Sequence, residues 1–128
     1  MFAGADLALT RRLVHTYCDL QQPGWMDAVD GTLGRRLPAL VGRSPLQVRR
    51  VHAEVLVEQA FAAGALGFTL AKGMVAMATK SSLFTAAELD AWLAGLQTAS
   101  ACGDYLFSIN DYIVVATKEP QKSTHTAS

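Results

Sequence analysis

Leu9, Leu13, Tyr17 and Leu20 recur at helical spacing with Val14 beside them, which predicts an amphipathic helix over residues 7 to 20. Asp6 stands where an N-cap is wanted, and Pro23-Gly24 ends the pattern. Residues 24 to 34 read as a glycine-punctuated loop around Trp25, a packing anchor. Residues 35 to 41 form a helical turn or two with Leu37, Leu40 and Val41 facing in, closed by Gly42 and Pro45. The period then changes. Val51, Ala53, Val55 and Val57 occupy one parity and Arg50, His52 and Glu54 the other, which predicts a strand over 46 to 57 with one wet face and an exposed His52.

An apolar helix is expected over roughly 58 to 79, then a loop at 80 to 84. Thr85 and Glu88 form a capping box, Phe84 and Leu89 a hydrophobic staple, and Leu89, Trp92, Leu93 and Leu96 line one face of the helix that follows. Gly103 stops it as a left-handed C-terminal glycine. The run from Asp104 to Lys118 is the most strand-like in the chain, filled with aromatic and β-branched residues. Asn110-Asp111 inside it reads either as a tight turn or as a bulge in one long strand; one strand is the expectation. Residues 121 to 128 bury nothing and are expected to be a disordered tail, so residues 1 to 120 are taken as one domain.

Composition narrows this little. Half of the 128 residues are apolar, as in a folded domain, and the formal charge is zero, so no nucleic-acid partner is expected. Residues 1 to 50 carry seven Arg against four Asp; a solvated face explains this plainly, and an anion patch at Arg11, Arg12, Arg35, Arg36, Arg49 and Arg50 is the sharper alternative. Cys18 and Cys102 lack metal-type spacing and read as reduced thiols of a cytoplasmic protein, with no secretory signal ahead of them. His15, Cys18 and Asp19 share one helix and cannot close a four-ligand metal site. Residues 60 to 78 have the length of a membrane span, but Lys72 and the small residues Ala63, Gly64, Gly67 and Gly73 dilute it. A buried or oligomer-facing helix is the plainer reading.

The pattern is an α/β one: helix, short helix, strand, two helices, strand. From Thr85 onward, TAAELDAWLAGLQTASACGDYLFSINDYIVVATKEP resembles the closing helix and last strand of class I S-adenosylmethionine-dependent methyltransferases. GRRLPALV followed by a strand resembles the last helix before that family's penultimate strand, and ALTRRLVHTYCD a helix upstream of it. The resemblance implies a helix-rich partial Rossmann-like half-sheet, with strands 46–57 and 104–118 as antiparallel neighbours. It also implies a vacancy on the far side of the last strand, where a second copy or partner is expected. By position it places Phe61, Phe68, Thr69, Lys72, Tyr105 and Phe107 near an acceptor substrate; for the aromatics, core packing is the plainer alternative. The glycine-rich turn that holds the methyl donor is missing, because no Gly-x-Gly-x-Gly run exists. S-adenosylmethionine is therefore expected only if another chain supplies that half.

Three readings of function follow. The first is a truncated methyltransferase-like domain, not catalytic alone, that self-associates or binds a partner chain. The second is the acceptor half of a split small-molecule methyltransferase, and the third a small membrane-attached protein held by residues 60 to 78.

Overall fold

The computed structural model describes residues 1–21 and 33–118. The elements run β1 (Phe2–Ala3), α1 (Leu7–Leu20), α2 (Leu33–Gly42), β2 (Leu46–Glu58), α3 (Leu66–Ser81), α4 (Ala86–Cys102) and β3 (Leu106–Lys118). Four helices and a three-stranded antiparallel sheet make this a mixed α/β fold, with strand order β1-β3-β2. The expectations for Trp25 and its loop as far as residue 32, and for the tail at 121 to 128, lie outside the described residues. The described residues gather into two compact units, one drawn from Met1–Gly31 and Val55–Asn110, the other from Thr32–Glu54 and Asp111–Ser128.

In the first unit α1, α3 and α4 pack on one another over a core that includes Leu13, Met74, Trp92, Leu96 and Phe107. Local chemistry sets the helix ends. Asp6 caps α1 by accepting from the Leu9 N–H at 2.6 Å. Thr85 and Glu88 close the capping box of α4 in both directions, and Gly103, at φ +81°, ends that helix in the left-handed region. Phe2 and Ala3 pair antiparallel with Phe107 and Leu106. The Phe2 ring then lies 5.4 Å from Trp92, edge-on, and 4.9 Å from Phe107.

Two expectations are corrected in this unit. The apolar helix begins at Leu66, not near Glu58, because Gly64 sits at φ +91° and Ala65 is extended, so the chain turns before the helix can start. With α3 confined to Leu66–Ser81, no helix among the described residues is long and apolar enough to cross a membrane. The far side of β3 is also not vacant along its whole length, since β1 occupies it at Leu106 and Phe107.

In the second unit α2 carries Pro38 in its interior, which removes the N–H that would bond the carbonyl of Gly34. Gly34 lies against the Tyr112 ring of β3; a Cβ there would stand 2.9 Å from Cδ2. The Arg49 side chain of β2 donates to Oγ1 of Thr117 on β3 at 2.8 Å, which puts the odd-numbered residues of both strands on one face. β3 is one continuous strand, as expected. Its less exposed residues are Phe107, Ser108 and Ile109 in the first unit and Tyr112, Val114 and Ala116 in the second, with Asn110 and Asp111 exposed between them.

The alternation in β2 predicts the strand correctly, but the valine parity it marks as the inward one is not buried. Val51, Val55 and Val57 are exposed, and the other parity is wet as expected at Arg50 and Glu54, with Val48, His52 and Glu58 half-buried. In this unit α2 stands on the even-numbered side of β3, at Tyr112. The side of Val51 has no such cover among the described residues of this unit.

Candidate functional site

The six residues that the methyltransferase resemblance singles out all fall in the first unit. Phe61 lies 5.0 Å from Phe68 and 5.6 Å from Tyr105, ring centre to ring centre. Its backbone N–H donates to Oγ of Ser100 at 2.8 Å, which fixes the segment before α3 onto α4. Phe61, Tyr105 and Phe107 are core residues, Phe68 is half-buried, and Thr69 and Lys72 are exposed. Lys72 extends its ammonium to 5.8 Å from the Phe68 ring, and Thr69 turns its hydroxyl back to the Ala65 carbonyl at 3.1 Å. The cluster is therefore held together by aromatic contacts, with only Phe68, Thr69 and Lys72 reaching its outer side.

Beneath it, Glu58 closes the N-terminus of α3. Its two carboxylate oxygens accept from the N–H groups of Leu66 at 2.8 Å and Gly67 at 2.7 Å, where Ala65 offers no side-chain cap. Periodicity does not mark Glu58, because its partners lie eight and nine positions on; the glycine turn at Gly64 ahead of an apolar run is the signal that could have found it. Tyr105 stands beside this pair with its hydroxyl buried and without a hydrogen-bond partner. Burial, and then the Glu58 carboxylate, push its phenol up to about 12. The first two exposed N–H groups of this helix end are thus engaged by a side chain of the chain itself.

Other chemistry is sparse. Among the described residues no three His, Cys, Asp or Glu side chains gather to hold a metal ion. Cys18 and Cys102 are free thiols, and burial, reinforced by Asp19, pushes the Cys18 thiol up, so its nucleophilic thiolate is disfavoured. A depression lined by Leu20, Met77, Lys80 and Ser81 holds about 170 Å³, smaller than the ~300 Å³ at which cofactor pockets begin.

The larger feature is a surface. In the second unit Val51 of β2 and Ile113 and Val115 of β3 share one face and are 48%, 45% and 49% exposed. Arg49 and Thr117 bound this row at one end through their hydrogen bond. Among the described residues β2 stands at the edge of the sheet order, with β3 on one side and no described strand on the other. On its opposite face His52 Nε2 lies 3.1 Å from Glu54 Oε1. Arg50 meets no acidic side chain among the described residues. No protein-family model, curated protein or solved structure matches this chain.

Proposed function

We propose that this chain is an assembly module that acts by adding a strand to β2, the edge strand of the sheet among the described residues, the strand coming from a second copy or from a complementing protein chain. One observation carries this reading: β2 is a 13-residue edge strand without proline whose apolar parity is exposed. Sheet edges that are not used are shortened, interrupted or covered, because an open ladder recruits any passing strand. Strand addition takes affinity from main-chain hydrogen bonds and selectivity from alternate side chains.

The fold is read in the same proposal as a truncated, partial Rossmann-like half-sheet of the methyltransferase type, without catalysis of its own. The antiparallel neighbourhood of β2 and β3, with the capped helix α4 leading into β3, supports it. Light scattering tests the assembly reading. The chain should run as a multiple of its 13.7 kDa mass at micromolar concentration, and Val51→Lys should reduce it to the monomer with an unchanged circular-dichroism spectrum. A monomer at every concentration would overturn it. Methyl-donor binding measured by calorimetry on the isolated chain should give no heat.

A further inference from the structure

The centre of β2 reads Arg50-Val-His52-Ala-Glu54, with a cation two positions before His52 and an anion two positions after it. All five residues belong to the second unit, and the strand that carries them is an edge strand among the described residues. An antiparallel pair of identical strands has a two-fold axis, and residues at equal distances from that axis face each other on the same side of the sheet. With the axis at His52, Arg50 falls opposite Glu54 of the second copy and Glu54 opposite its Arg50. Val51 then falls opposite Ala53 on the other face.

Neighbouring registers lack this match. An axis at Val51 sets Arg50 against His52 and Glu54 against Val48, and an axis at Ala53 sets Arg50 against Leu56. The charged groups are available for exchange between copies. Arg50 meets no acidic side chain in its own chain among the described residues, and the Glu54 side chain, 65% exposed, pairs there with His52.

We infer that the occupant of the β2 edge is a second copy of this chain, paired antiparallel about a two-fold axis at His52, with two reciprocal Arg50–Glu54 pairs fixing the register. This rests on the assembly reading and deepens it. Opposite charges directly across a strand pair stabilise it, and like charges there destabilise it. A closed two-fold contact also ends assembly at two copies at this edge, because each copy spends its β2 edge on the other.

Charge exchange tests the register. Arg50→Glu alone and Glu54→Arg alone each place two like-charge pairs across the axis, and each should weaken the dimer by about tenfold or more. The double variant R50E/E54R should recover dimerisation to within about threefold of the original chain. Mixing the two single variants should give a heterodimer in preference to either homodimer, because both cross-strand pairs are then of opposite sign. Native mass spectrometry of the mixture reads this directly. A dimer that persists equally in all variants overturns the register and leaves the assembly reading standing. An original chain that is monomeric throughout overturns both.

Discussion

The indole N–H of Trp92 donates to Oγ1 of Thr10 at 2.9 Å, joining α4 to α1 inside the core of the first unit. The Thr10 hydroxyl in turn donates a hydrogen bond to the backbone carbonyl of Asp6 at 2.7 Å, so each polar group in this chain of contacts has a partner. Thr10→Val keeps the shape and strands the indole N–H, and it should cost about 1–3 kcal/mol in urea unfolding. Thr10→Ser retains the hydroxyl and should cost clearly less.

Two glycines of α3 should respond in opposite directions. A Cβ on Gly67 would stand 2.5 Å from the Tyr105 hydroxyl, 2.8 Å from Cγ of Phe107 and 3.0 Å from a Glu58 oxygen. Gly67→Ala therefore overpacks a buried junction and should lose about 1–3 kcal/mol. A Cβ on Gly73 meets nothing within 4 Å, and Gly73→Ala should gain about 0.5–1 kcal/mol from helix propensity alone. Thermal melts of the two variants should bracket the parent.

The Tyr105 phenol ionises near 10 in an unfolded chain and near 12 in the fold. Between those values the folded state holds a proton that the unfolded state has released, so stability is full below pH 10 and falls as pH rises toward 12. Tyr105→Phe removes this contribution to the alkaline loss. Because the hydroxyl has no partner, the variant should be as stable as the parent at pH 7, or more so. Chemical denaturation at pH 7 and at pH 11 checks both statements.

At the other end of the scale, Glu88 is held below the usual carboxylate range, first by the Thr85 backbone N–H and then by the Arg12 guanidinium at 3.0 Å. A depressed carboxylate contributes stability above its unfolded pKa and loses it as pH falls through the folded one. Glu88→Gln should flatten the acid limb of a stability-against-pH curve. Thr85→Ala, which removes the cap itself, should cost about 1 kcal/mol at pH 7.

Asp6, the Thr85–Glu88 box and Gly103 were legible because each acts on backbone within three or four positions of itself. The start of α3 was not, because its cap comes from Glu58 at the end of β2. β1 was not either; Phe2 and Ala3 have no periodicity of their own and become a strand only by meeting Phe107 and Leu106. Alternation in β2 revealed the strand but not its covered face, since period two records which residues share a side and not what lies over it. Of the residues that the methyltransferase resemblance singled out, Phe61, Phe68 and Tyr105 do meet, through ring contacts that sequence spacing does not show.

The pairing of Phe2 with Phe107 also sets a timetable for synthesis. The two residues are 105 positions apart. At translation rates of about 5–20 residues per second, Phe2 waits on the order of 5 to 20 seconds after it is made before its partner exists. Through that interval Leu13 and the buried face of α1 also lack Trp92 and Leu96, which are made late. The first unit joins Met1–Gly31 to Val55–Asn110, so its earlier segment stays uncovered until the later one has been made.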